Sequence, residues 1–137
     1  MNMLFVDTAA WVSAADASDP RSNQVREARD TWLAGGGGLV TTDYVIDETL
    51  TTIRFRIGLD ASEKWWHQVE GSSRLRLEVI DVSRAERARS IFIRPGDKEF
   101  SSADCTSFVL MNELRLREAL TLDHHFQQIG FERIPSF

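Results

Sequence analysis

The chain has 137 residues, of which 42% are hydrophobic and 27% are charged, and we expect residues 1–137 to form a single folded domain. The one cysteine, Cys105, excludes an intramolecular disulfide and a zinc site built from cysteine pairs. The net charge of −5 argues against broad, salt-driven binding to nucleic acid. The amino terminus lacks a basic start and no apolar stretch is long enough for a bilayer, so we expect a cytoplasmic protein.

Short apolar runs alternate with helical periodicity along the chain. In chain order, the pattern predicts a strand at Met3–Val6, a helix at Arg21–Leu33, a strand at Leu39–Thr42, a helix at Asp43–Ile57, a helix at Ala61–Glu70, a strand at Leu75–Val82, a helix at Ser83–Ile93, a helix at Ser101–Leu116, a strand at Leu120–Leu122 and a strand at Phe131–Pro135. Ser83, followed three residues later by Glu86, has the pattern of a helix-capping box. The alternation implies a three-layer α/β/α domain with a central parallel sheet.

Two aspartates directly follow predicted strands. Asp7 comes after Met3–Val6, and Asp123 comes after Leu120–Leu122. Because ligands of open α/β sheets bind at the carboxyl ends of the strands, we expect both side chains at one functional edge of the sheet. Clustered carboxylates suit Mg²⁺ or Mn²⁺, which prefer oxygen ligands.

Three of the candidate acids also have an ordinary structural interpretation. Asp7 and Asp123 could simply end strands, since aspartate is common in loops. Asp104 stands three residues after Ser101, which is a capping pattern at a helix start. In that interpretation the Asp104 carboxylate pairs only with backbone N–H groups.

A fourth candidate, Glu48, lies on the helix predicted at Asp43–Ile57. It falls nearly opposite the apolar stripe of that helix, which favours a solvated surface glutamate. Glu48 would serve a site only if this second helix face lines a cleft. Asp43 and Asp47 are nearby alternatives for its role.

Two pairs of adjacent side chains leave a choice open. His124 and His125 could bind a metal, but adjacent residues usually point apart, and we favour a structural or substrate-edge role for His124. Of Trp65 and Trp66, one belongs in the core and the other is a candidate for an interface.

Four local motifs stand out together. They are the strand end Leu4–Thr8, the helical segment Thr42–Leu50, the segment Phe100–Phe108 and the segment Leu120–Phe126. In their order and intervals they resemble the motifs of the PIN domain family, in particular the VapC-like toxins of bacterial toxin–antitoxin pairs. Each motif is weak alone, but the resemblance runs over essentially the whole chain.

The resemblance implies a PIN-like α/β/α fold and an endoribonuclease that hydrolyses RNA phosphodiester bonds with Mg²⁺ or Mn²⁺. The quartet that it implies for catalysis and metal binding consists of Asp7, Glu48, Asp104 and Asp123. The hydroxyls of Thr8 and Ser101 match residues that sit beside the metals. The resemblance also implies a homodimer and a cognate antitoxin whose carboxyl-terminal segment covers the active site.

Two other functions compete with this one. A non-catalytic PIN-fold module could act only through binding an antitoxin or another protein, although a complete acidic quartet argues against it. A phospho-aspartate phosphatase would need a second acid two residues after Asp7, where Ala9 stands. A receiver domain would need paired acids after the first strand and a lysine late in the chain, and no lysine follows residue 98.

Overall fold

A computed structural model describes residues 1–96 and 99–136 of the protein. The strands of the described residues form one sheet in the order β3-β2-β1-β4-β5, and every neighbouring pair is parallel. The strands are β1 (Met3–Val6), β2 (Gly38–Thr42), β3 (Leu75–Glu78), β4 (Glu118–Leu120) and β5 (Glu132–Ile134). The predicted parallel sheet is therefore confirmed.

Helices connect the strands and cover the sheet. They are α1 (Thr8–Ala15), α2 (Ser22–Ala34), α3 (Asp43–Arg56), α4 (Leu59–Glu70), α5 (Val82–Phe92), α6 (Ser102–Glu113) and the short α7 (His125–Gln128). None of the described helices is both long and apolar enough to cross a membrane.

The winding direction of the sheet reverses between β1 and β4. The chain runs outward from β1 through β2 to β3, then crosses back to place β4 on the other side of β1. Since such crossovers are right-handed, α1 to α4 cover one face and α5 and α6 cover the other. The helix contacts agree, because α1 packs on α2 and α3, α3 packs on α4, and α5 packs on α6. The predicted α/β/α layering is thus confirmed.

The central strand β1 lies at the middle of the core, as a strand covered on both faces should. Leu4 and Phe5 are 0% exposed, and Phe5 packs against Phe126 with ring centroids 6.2 Å apart. On the other side of the molecule, Trp11 of α1 meets Trp65 of α4 edge-on at 5.5 Å. Trp65 is the buried member of the predicted tryptophan pair, whereas Trp66 is only partly buried.

The structure corrects the prediction at the start of the chain and in its middle. Helix α1 follows Asp7 at once, although no helix was predicted there; its eight residues are too short and too uniformly apolar to show a clear stripe. Strand β3 ends at Glu78 and not at Val82. The cap of α5 is Asp81 and not Ser83, because Asp81 directly precedes the helix and accepts a hydrogen bond from the Arg84 N–H at 2.8 Å.

The carboxyl-terminal part of the chain needs two further corrections. Helix α6 ends at Glu113, three residues before the predicted end at Leu116. Strand β4 ends at Leu120, so Asp123 does not directly follow it. The Thr121 N–H still donates to the Ile134 carbonyl at 3.1 Å, and beyond that bond the chain turns into α7.

Candidate active site

Asp7 and Asp123 meet at the point where the winding direction reverses. Asp7 follows β1, and its N–H donates to the Leu120 carbonyl of β4 at 3.1 Å. Asp123 lies three residues beyond β4, in the turn that leads into α7. The two acids thus follow adjacent strands at their carboxyl ends, which is where open α/β sheets bind ligands.

Asp7 is a buried carboxyl group with only 7% of its surface exposed. Burial, together with the negative charges of Asp104 and Asp123, raises its pKa from the usual 3.8 to about 7. The Thr121 hydroxyl opposes part of this shift by donating a hydrogen bond to Asp7 Oδ2 at 3.0 Å. The charged neighbours that raise this pKa are other carboxylates, so ionisation of Asp7 places a further negative charge beside them.

Asp104 has a structural role and also belongs to the acidic site. The Ser101 hydroxyl accepts from the Asp104 N–H at 2.9 Å, and the Asp104 carboxylate faces the Ser101 N–H, which completes a capping box for α6. The same carboxylate points toward Asp123. Burial and the charge of Asp123 both raise the pKa of Asp104. The predicted cap is therefore present, but the carboxylate does not pair only with backbone N–H groups, because its Oδ2 also lies 3.3 Å from His125 Nδ1.

Thr121 joins two of the acids and was not singled out from the sequence. Its hydroxyl donates to Asp7 Oδ2 and accepts from the Asp123 N–H, each at 3.0 Å. One side chain therefore fixes the orientation of Asp7 and the backbone of Asp123. No sequence pattern pointed to it, because the predicted strand Leu120–Leu122 contained Thr121, whereas β4 ends at Leu120.

His125, one of the two histidines that the sequence left open as metal ligands, lies beside the acids. Its Nδ1 lies 3.3 Å from Asp104 Oδ2 and 3.2 Å from Asp123 Oδ1. The nearest ligand atoms of Asp104, Asp123 and His125 all lie within 4.8 Å of one another. The adjacent His124 instead has a side chain that is 66% exposed. The expectation that the two histidines point apart is wrong, because their ring centroids lie only 4.7 Å apart. His124 Nδ1 is 4.0 Å from Asp123 Oδ1, whereas His125 Nδ1 reaches both Asp104 and Asp123.

Glu48 lies beside this cluster and not within it. It is exposed on α3, and its Oε1 accepts a hydrogen bond of 2.5 Å from the Thr8 hydroxyl. Of the alternatives, Asp43 accepts from the Ile80 N–H at 2.8 Å and so joins α3 to the segment after β3. Asp47 is exposed, and Glu48 is the member of this group that contacts the residue next to Asp7.

The chemistry of this donor set fits a divalent cation. Ligand atoms of Asp104 and Asp123 lie within 4.8 Å of each other, and Asp7 stands outside that close group. Asp7 is still near enough that burial first, and then repulsion from Asp104 and Asp123, raise its pKa. Burial and repulsion from Asp123 likewise raise the pKa of Asp104. A bound cation would neutralise that repulsion and stabilise the ionised forms. The imidazole of His125 adds a further ligand atom to the cluster. The cluster lies at the reversal point where open parallel sheets bind ligands, and a divalent ion held there could support hydrolysis.

Comparison with known proteins gives the family. The family model described as "PIN domain" matches residues 4–132, so the chain belongs to the PIN domain family. The chain is similar to the 23S rRNA-specific endonuclease VapC20 of Mycobacterium tuberculosis, with 28% identity over 132 residues that cover 96% of this chain and 98% of that protein. It is also 28% identical over 127 residues to ribonuclease VapC26 of the same organism, covering 92% of this chain and 91% of that protein.

Solved structures agree with this assignment. The crystal structure of VapC20 from Mycobacterium tuberculosis, described as a Sarcin-Ricin loop cleaving toxin, matches with a TM-score of 0.84 and 26% identity over 93% of this chain and 95% of that chain. The structure of VapBC2 from Rickettsia felis, bound to a DNA fragment from its promoter, matches with a TM-score of 0.71 and 11% identity, covering 96% of each chain. At 11% identity, the match to VapBC2 supports a similar fold and nothing about activity. Both relatives named from sequence are ribonucleases, and the predicted enzyme class is thereby confirmed.

Proposed function

We propose that this PIN-domain protein is a divalent-metal-dependent endoribonuclease and the toxin of a toxin–antitoxin pair. The observation that carries the proposal is the close approach of Asp104 and Asp123 at the reversal point of the sheet, with Asp7 tied to Asp123 through Thr121. Burial and repulsion among these acids raise the pKa values of Asp7 and Asp104. A structural role alone gives no reason to bring like charges together in a partly dry site.

The acids would divide the work at the site. Asp7, Asp104 and Asp123 would hold Mg²⁺ or Mn²⁺, and Glu48, held by Thr8, would bind a second ion or orient the attacking water. A bound divalent ion supplies an acidified water and charge stabilisation for phosphodiester hydrolysis. Thr121 orients the Asp7 side chain and the Asp123 backbone, and Ser101 holds Asp104 at the start of α6.

The first candidate substrate is a structured ribosomal RNA loop. The relative VapC20 is named for cleavage of 23S rRNA, and the alignment with it spans nearly the whole of both chains. A negatively charged protein with net charge −5 would need the bound cations to approach RNA phosphates closely. A protein that cleaves ribosomal RNA would act in the cytoplasm, and that localisation is part of the proposal.

Two protein partners complete the proposal. A cognate antitoxin is supported by the likeness to VapC proteins and to a VapBC structure. A homodimer is implied by the resemblance to VapC-like toxins, and Val82 and Ile93 at the two ends of α5, 75% and 76% exposed, offer apolar surface to a protein partner.

Cleavage of a defined RNA tests the proposal. Purified protein is incubated with an RNA stem-loop carrying the sarcin–ricin sequence and with unrelated stem-loops, in Mn²⁺, in Mg²⁺ and in EDTA. We expect metal-dependent cleavage that Asp7→Asn, Asp104→Asn and Asp123→Asn each abolish, while circular dichroism shows an intact fold. The exposed Asp47→Asn is the matched control and should cleave as wild type. Full activity in all three site variants would contradict the proposal.

A further inference from the structure

We propose that His125 is a ligand of the metal ion through its Nδ1 atom and that this nitrogen gives the site a preference for Mn²⁺ over Mg²⁺. The inference rests on the proposed function, because it concerns the ion of that same site. It adds to the four acids a residue of a different donor type. The carrying observation is that Nδ1 faces Asp104 Oδ2 at 3.3 Å and Asp123 Oδ1 at 3.2 Å.

The position of His125 is fixed by the backbone around it. Helix α7 begins at this residue, and its N–H donates to Asp123 Oδ1 at 2.9 Å, so the ring and the acid are held by one turn. The next residue, Phe126, is 0% exposed and anchors the turn in the core. The backbone of His125 is therefore held in a fixed position, which a metal ligand needs in order to keep its geometry.

An aromatic contact holds the ring from the side. Phe100 meets the imidazole edge-on, with centroids 5.5 Å apart and an interplanar angle of 82°. Phe100 is itself packed edge-on against the buried Phe108 at 5.1 Å. The contacts leave 25% of the His125 side chain exposed, which is enough to admit an ion from solvent.

The donor type has a chemical consequence. Mg²⁺ binds oxygen ligands almost exclusively, whereas imidazole nitrogen suits the transition ions. Carboxylates from Asp104 and Asp123 accept either ion, so the nitrogen of His125 is the part of the set that separates them. If His125 only donated a hydrogen bond to the two acids, it would make no bond to the ion and would not affect this choice.

Pulsed electron paramagnetic resonance of the Mn²⁺-loaded full-length protein tests the nitrogen bond directly. We expect a ¹⁴N modulation from a coordinated imidazole in the wild type, and its replacement by a ¹⁵N pattern after labelling with ¹⁵N-histidine. The modulation should vanish in His125→Gln and persist in His124→Gln, whose side chain is mostly exposed. His67→Gln is a second control, since His67 lies 3.6 Å from Glu63 and 3.8 Å from Glu70 on α4 and could bind Mn²⁺ weakly at the surface.

Calorimetry measures the expected preference. His125→Gln should lower Mn²⁺ affinity by about tenfold or more, as loss of a residue around a metal ion commonly does, while Mg²⁺ affinity changes much less. His125→Asp, which makes an all-oxygen site, should shift the preference toward Mg²⁺.

The outcomes separate this inference from the proposed function. If Mn²⁺ binds and RNA is cleaved but the wild type shows no nitrogen modulation, His125 is not a ligand and only the inference is overturned. A modulation that survives in His125→Gln overturns it as well. If the wild type binds no Mn²⁺ and cleaves no RNA, the proposed function and the inference fall together.

Discussion

Replacing Asp7 with asparagine should stabilise the metal-free protein at neutral and alkaline pH. The pKa of Asp7 is about 7 in the folded protein against the usual 3.8, mainly because the group is buried. Between these two values the folded state holds a proton that the unfolded chain has released. The contribution of Asp7 to stability is therefore complete below about pH 4 and is lost as the pH rises to about 7.

The magnitude follows from the difference between the two pKa values. A rise from 3.8 to about 7 corresponds to about 4 kcal/mol, at about 1.4 kcal/mol for each pH unit. About 2 to 3 kcal/mol of this falls between pH 5 and pH 8. Asparagine carries no charge, and its amide oxygen can still accept the hydrogen bond that Thr121 gives to Asp7 at 3.0 Å. Between pH 5 and pH 8, the free energy of unfolding of Asp7→Asn should therefore fall by about 2 to 3 kcal/mol less than that of the wild type.

Urea unfolding in EDTA at pH 5 and pH 8 measures the effect. The buried Trp11 and Trp65, which pack edge-on, supply the fluorescence signal. The control is Asp47→Asn, a change of the same kind at an exposed position of α3. If the free energy of unfolding of Asp7→Asn falls with pH as steeply as that of the wild type, the pKa of Asp7 is not raised by burial in the folded protein.

Two further results are expected. Thr121→Val removes the hydroxyl that joins Asp7 and Asp123, so calorimetry should show an Mn²⁺ affinity about 10- to 100-fold weaker. The thermal unfolding transition should stay cooperative. Unchanged affinity would mean that Thr121 does not orient these acids. Mn²⁺ binding by the wild type should tighten by about tenfold from pH 6 to pH 8 and release a proton, because Asp7 with a pKa of about 7 must ionise to bind. Titrations in two buffers of different ionisation enthalpy count that proton, and a pH-independent affinity would contradict the role of Asp7.

The sequence was sufficient for the features that depend on hydrophobic pattern. Alternating strands and helices give a parallel sheet, and an aspartate at the end of a buried strand must lie at its ligand-binding edge, as Asp7 does. The capping pattern at Ser101 predicted the start of α6 and the local contact of Asp104. Such features are local, so a single sequence carries them.

The parts that the sequence did not reveal depend on short elements and on contacts between distant segments. Helix α7 has four residues, too few for a helical period, yet it places His125 within 3.3 Å of both Asp104 and Asp123. Thr121 donates a hydrogen bond to Asp7, which lies 114 positions earlier in the sequence, and no local pattern predicts such a contact. The role of Glu48 likewise depends on Thr8, forty positions away.

Titration of Mn²⁺ into the wild type and into Asp104→Asn, followed by calorimetry, tests the central claim that the acids form a metal site. Asparagine can keep the cap at the start of α6, so a purely structural Asp104 predicts equal binding. The convergence of Asp104 with Asp7 and Asp123 predicts that the wild type binds Mn²⁺ and that the variant binds it far more weakly. Equal binding by the two proteins would contradict the claim and leave Asp104 as a helix cap alone.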